Sequence, residues 1–155
     1  MALTGPVRRA NVIVRDMEAS LRFYRDLLGF TVFFDDVVSA GAGGRILNVP
    51  CRAARMVVLR ADEGTVGMIG LMELQDAAGL APPIEPAAVR LGEPFLALQS
   101  DRFSELVERL EAAGVQFVNH PAEFQVQGRR VREFAVRDPD GLMINIIEST
   151  PPSPS

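Results

Sequence analysis

The chain carries one histidine and one cysteine, so imidazole and thiol chemistry can each enter at a single point. His120 precedes Pro121 in a stretch expected to be a loop. An imidazole needs positioned partners to act, so His120 is expected at the surface. Cys51 lies just after Pro50 and close to Arg52 and Arg55, whose charge favours a thiolate. With no identified base beside it, its expected role is small-residue packing. Phe23 and Tyr24 fall inside an amphipathic helical stretch and are expected in a core. Arg129 and Arg130 follow Gly128 at a turn, where a solvated charge cluster is the default and the rim of a pocket mouth the alternative. There remain polar side chains set into apolar strands. Alternation puts Arg9, Asn11 and Ile13 on one face of a first strand, and Ile69, Leu71 and Glu73 on one face of a fourth. In the second half it groups Phe95, Ala97 and Gln99, then Met143, Asn145 and Ile147. Apolar faces with a few convergent polar groups are the usual make-up of a small-molecule site.

The elements that must carry these residues read as two similar halves. "RRANVIV" predicts a strand, and Asp16 an N-cap whose carboxylate accepts from the free amides of a helix over Met17 to Leu28. Met17, Leu21, Tyr24 and Leu28 share one face of that helix, and Gly29 supplies its left-handed stop. "FTVFFDDVV" is extended, and "SAGAGGRILNVP" reads as a loop with a short helical turn. "ARMVVLRAD" and "VGMIGLMELQ" form a hairpin across "EGT", with Gly64 at the reversal. Pro82, Pro83, Pro86 and Pro94 mark a connector. Strand "PFLALQS", cap Asp101, a helix from Arg102 to Ala113, Gly114 and strand "VQFV" then repeat the pattern. Asp16 to Gly29 and Asp101 to Gly114 each span thirteen positions. Only Leu21/Leu106 and Leu28/Ala113 superpose as apolar pairs, with Phe103, Val107 and Leu110 completing the second stripe. "VREFAVR" and "LMINIIE" are joined by Asp138-Pro139-Asp140-Gly141, which specifies a type I turn. The expected boundaries are a module over about 7–76, a linker over about 77–93, a module over about 94–149 and a tail over 150–155.

At 155 residues, with 48% hydrophobic and 23% charged residues, one domain with an ordinary core is expected. A net charge of -4 leaves no basic stripe to neutralise phosphates, so nucleic acid is not an expected partner. No run reaches the roughly eighteen apolar residues of a membrane-spanning helix. Nothing resembles a secretory leader, and a lone cysteine forms no internal disulfide, so a cytoplasmic location is expected.

With "VRDMEASLRFYRDLLGF" and "DPDG" at their observed separation, the chain resembles the vicinal oxygen chelate superfamily over roughly residues 7 to 149. That group includes lactoylglutathione lyase, extradiol dioxygenases, methylmalonyl-CoA epimerase and the bleomycin- and fosfomycin-resistance proteins. The resemblance implies an α+β fold: two βαβββ modules forming a curved mixed sheet around a central pocket. It also implies a homodimer and, in metal-using members, a divalent ion held from four strands. Those positions correspond here to Arg9, Glu73, Phe95 and Asn145, of which only Glu73 is a usual ligand, whereas a catalytic ion needs about three. The expectation is a metal-independent, small-molecule-binding protein without cofactor. Its pocket would be lined by Asn11, Phe95, Gln99, Met143 and Asn145, with an Arg9/Glu73 pair at the former metal position. The ligand would be aromatic or carboxylate-bearing. Within that pair Arg9 would grip a ligand carboxylate, or stabilise an oxyanion while Glu73 moves a proton. The alternative is a lyase, isomerase or dioxygenase that uses Glu73 as base or metal ligand.

Overall fold

The structure, a computed structural model, describes residues 3–39, 47–80, 82–83 and 89–149. The chain divides into two compact units, Met1–Pro82 and Pro83–Ser155. The loop read in "SAGAGGRILNVP", the middle of the proline-rich connector and the tail fall largely outside the described residues.

In the first unit β1 (Arg9–Val14), β2 (Thr31–Ser39), β3 (Ala53–Arg60) and β4 (Met68–Gln75) form one sheet in the order β1-β4-β3-β2. β1 and β4 run parallel and the other pairs are antiparallel, so β1 and β2, the strands joined by the helical crossover, point the same way. The crossover is α1 (Met17–Leu21), which continues into a π-helical stretch over Arg22–Leu27. Asp16 caps it as expected, its Oδ1 accepting from the Ala19 amide at 3.0 Å. Gly29 ends it at φ +85°, where a side chain would be strained. Beneath the helix lies an apolar stretch of the sheet: Val57, Leu59 and Leu71 are wholly buried, and Ile69 nearly so. Tyr24 and Phe23 are buried with them, their rings edge to face at 5.0 Å. The hairpin between β3 and β4 is longer than "EGT", because Asp62 accepts from the Gly64 amide and the left-handed residue is Gly67.

The second unit repeats the plan. Its strands are β5 (Phe95–Ser100), β6 (Phe117–Val126), β7 (Arg129–Arg137) and β8 (Met143–Glu148), in the order β5-β8-β7-β6. The helix between β5 and β6 is α2 (Phe103–Ala112), and it departs from expectation at its start. Arg102 is the cap residue and Asp101 makes no capping bond; the Ser100 hydroxyl accepts from the Arg102 amide instead. Phe103 packs edge to face on Phe134 at 5.1 Å, while Phe134, Val136, Ile144 and Ile146 form the buried sheet face under α2.

β6 has ten residues against the four of "VQFV" and takes in His120 and Pro121, so His120 lies on an edge strand and not in a loop. Pro121 falls in the register break between Asn119 and Ala122, where its missing amide costs no ladder bond. Arg129 and Arg130 open β7 after a tight turn made by Gln127 and Gly128, both at positive φ. The predicted turn at Asp138 forms: the Gly141 amide donates to the Asp138 carbonyl, and Asp138 Oδ1 accepts from Asp140 and Leu142.

Candidate functional site

Cross-strand register decides which side chains share a face, and in the first unit it separates two residues expected together. Arg9, Asn11 and Ile13 pair with Met68, Gly70 and Met72, whereas Glu73 pairs with Val14 on the opposite face. That opposite face is the one under α1, where Glu73 Oε1 accepts from the Met17 amide at 3.1 Å. Glu73 therefore fastens the first turn of the helix, and no Arg9/Glu73 pair forms. The expected grouping of Ile69, Leu71 and Glu73 with Arg9 is corrected accordingly. β4 is apolar on both sides, so alternation alone does not say which of its faces meets Arg9.

Beside Glu73, its cross-strand neighbour Arg55 bridges three elements. Its guanidinium pairs bidentately with Asp35 of β2, at 3.0 and 2.8 Å, and reaches Glu18 of α1 at 2.7 Å. The paired guanidinium holds the Asp35 carboxyl below the usual carboxylate range, outweighing partial burial, and is itself raised above its ordinary value. Arg52 is paired with Asp76 at 2.7 Å. The two guanidinium groups near Cys51 thus face carboxylates. Cys51 itself packs against the buried cluster of Ala54, Met72 and Leu74.

The face of the first sheet that bears Arg9 holds an open cleft of about 460 Å³ lined by Val7, Arg8, Arg9, Asn11 and Met68. Among the described residues neither Arg8 nor Arg9 has an ion pair or side-chain hydrogen bond. Gly70, a residue that sequence reasoning missed, is what lets Asn11 and Arg9 lie flat across β4. A Cβ there would overlap Asn11 Oδ1 and stand 3.0 Å from Arg9 Cδ. A glycine inside an apolar strand is the available signal for such a close approach.

In the second unit the expected grouping holds: Phe95, Ala97 and Gln99 pair with Met143, Asn145 and Ile147 on the face away from α2. Phe95 is 54% exposed there. β7 adds Glu133, which sequence reasoning also missed; its Oε2 accepts from Asn145 Nδ2 at 3.0 Å. Alternation from Arg137 through Ala135 was the signal that placed it on this face. One end of the face is closed by a buried ion pair, Arg137 to Glu93 at 2.7 Å, with both side chains 3% exposed. Hydrogen bonds from Arg137 and from the Arg90 amide hold the Glu93 carboxyl below its usual range. His120 stands apart and exposed, stacked on Phe117 at 4.8 Å.

These donors do not fit a divalent metal centre of the kind the family uses. Arg9 offers no lone pair, the β4 side chains on its face are Met68 and Met72 around Gly70, and Phe95 cannot coordinate. Among the described residues no three His, Cys, Asp or Glu side chains cluster.

The family model for the Glyoxalase/Bleomycin resistance protein/Dioxygenase superfamily matches residues 7–146. No curated protein matches the chain. Among solved structures, a glyoxalase family protein from Bacillus cereus aligns with TM-score 0.74 at 16% identity, covering 96% of this chain and 97% of that one. A glyoxalase/dioxygenase from Nostoc punctiforme aligns with TM-score 0.68 at 22% identity, covering 97% and 99%. An integron cassette protein from V. cholerae gives 0.58 at 22% identity, covering 97% and 99%. At such identities these likenesses speak for the fold, and the two four-stranded sheets, each with its crossover helix, agree with it. The family match, spanning both βαβββ units, identifies the chain as a member of the Glyoxalase/Bleomycin resistance protein/Dioxygenase superfamily.

Proposed function

We propose that the protein binds a small carboxylate-bearing molecule without a metal ion, with Arg9 as the carboxylate anchor. The observation that carries this reading is the cleft around Arg9. A guanidinium that has no acidic partner among the described residues stands beside the Asn11 amide and apolar Val7 and Met68. A planar donor fork binds a carboxylate bidentately, Asn11 adds a donor, and the apolar wall receives an aryl or acyl body. Glu73 has no part in this reading, since its carboxylate is engaged by the helix on the other face. The rival reading, a lyase, isomerase or dioxygenase working through Glu73, loses its geometric support for the same reason. The protein is proposed to act as a homodimer, as the family resemblance implies, and in the cytoplasm, as its lone cysteine suggests; light scattering of the purified chain reports the oligomer directly.

The test is calorimetric titration with benzoate and phenylacetate, using their neutral amides as controls. The carboxylates are expected to bind and the amides to bind at least about tenfold more weakly. Arg9→Met is expected to lose about 10- to 100-fold in affinity, the value of one charge-assisted hydrogen bond of about 1.5–3 kcal/mol. Equal binding of acid and amide, or an unchanged Arg9→Met, would overturn the proposal.

A further inference from the structure

The face of the second unit that lies away from α2 has the opposite polarity. Glu133 is half-buried on β7, and its one side-chain partner among the described residues is the Asn145 amide. Among the described residues no arginine or histidine lies within ion-pair distance of it. A carboxylate only accepts hydrogen bonds, so Asn145 must turn its NH2 group towards Glu133 and its carbonyl away. The pair thus offers the second oxygen of Glu133 and Oδ1 of Asn145, two acceptors carrying an unbalanced negative charge. Around them on the same face are Phe95, Met143 and Ile147, with Gln99 beyond. Phe95 presents half of its surface to solvent.

A partly desolvated carboxylate without a counter-ion is costly, and a ligand that supplies the missing cation recovers that cost. Two acceptors favour a group with two N–H donors. A neighbouring exposed aromatic ring favours a delocalised or alkylated cation over a hydrated metal ion. We propose that this face is a binding site for an organic cation with N–H donors, an amidinium, guanidinium or primary ammonium group on an apolar body. Glu133 is the charge partner and Asn145 the residue that orients it. The site is separate in chemistry from the Arg9 cleft, which takes an anion.

Benzamidine is the probe, with isosteric neutral benzamide as its control, titrated into the full-length chain by calorimetry. The wild-type protein is expected to bind benzamidine at least about tenfold more tightly than benzamide. Glu133→Gln, which keeps shape and removes charge, is expected to bring benzamidine down to the affinity of benzamide. Glu123→Gln removes a carboxylate of β6 already paired with Arg130 at 2.7 Å, and is expected to change nothing. Circular dichroism checks that both variants fold. The wild-type comparison needs no variant, so equal binding of benzamidine and benzamide overturns the proposal by itself. An unchanged benzamidine affinity in Glu133→Gln does so as well. Benzoate titration in the same samples reports the Arg9 cleft independently, so failure of one site is not read as failure of the other.

Discussion

Replacing Gly70 by alanine adds one methyl group to the floor of the Arg9 cleft and separates a binding effect from a folding effect. The new Cβ would overlap Asn11 Oδ1 and lie 3.0 Å from Arg9 Cδ and 3.3 Å from Arg9 Nε. Non-bonded atoms are most stable at about 3.5–4.0 Å, so the Asn11 side chain must move by about 1 Å and the arginine stem by less. Asn11 is exposed and Arg9 partly so, and the atoms met are those of flexible side chains, so the backbone need not yield. Holding them off their preferred rotamers costs about 0.5–1.5 kcal/mol. Alanine in place of glycine returns about 0.4–1 kcal/mol by restricting the unfolded chain. The net change in stability is expected to stay within about 1 kcal/mol by urea denaturation. Affinity for benzoate is expected to fall about 10- to 100-fold by calorimetry, because one charge-assisted bond worth about 1.5–3 kcal/mol is displaced. An unchanged dissociation constant would refute the placement of the ligand over Gly70. A stability loss well beyond about 2 kcal/mol would show that the glycine is needed for packing and not for the cleft.

Other outcomes follow from the same geometry. Glu73→Leu should destabilise by about 0.5–2 kcal/mol, as loss of a helix cap does, and leave benzoate affinity unchanged in a paired urea and calorimetry measurement. The Asp35 carboxyl is lowered by Arg55, so that pair stabilises above the unfolded carboxylate value and its contribution disappears as pH falls through the folded value. Arg55→Met should therefore be less stable than wild type at neutral pH, with the gap closing below about pH 4; Asp35 is 38% exposed, so the amplitude should be small. Arg137→Met strands Glu93 in a buried setting and should lower the thermal midpoint sharply, whereas the double change Arg137→Met with Glu93→Leu should recover most of it. After incubation with zinc, nickel, iron or manganese and dialysis, elemental analysis should find well under one ion per chain; a stoichiometric ion would refute metal independence.

Much of the fold was legible because it is written in local chemistry. The Asp16 cap, the Gly29 stop and the turn from Asp138 to Gly141 each depend on a few adjacent residues and form where the sequence puts them. The candidate site was less legible, for a reason that lies in β4. Met68, Ile69, Leu71, Met72 and Leu74 are all buried, so hydrophobic alternation is absent and the face shared with β1 is set only by register. A slip of one residue exchanges the faces of a strand, and that is the difference between Glu73 beside Arg9 and Glu73 under the helix. In β5, β7 and β8 the polar residues Gln99, Glu133 and Asn145 all fall on the side away from α2. There the grouping of Phe95, Gln99, Met143 and Asn145 could be read directly, and Glu133 was within reach of the same argument.

The π-helical stretch has a bearing on how the two halves compare as copies of one unit. Twelve positions separate cap Asp16 from terminal Leu28, and eleven separate cap Arg102 from terminal Ala113. The first crossover thus holds one residue more than the second between equivalent ends. A wider turn, closed by bonds such as that from the Leu28 amide to the Phe23 carbonyl, takes up that residue without lengthening the path back to the sheet. Gapless superposition of the two halves is therefore out of phase on one side of Arg22, whichever end it starts from. The weak match between the two apolar stripes is then a phase error more than a sign of divergence, and a one-residue gap at the π turn is the alignment that tests common descent of the halves.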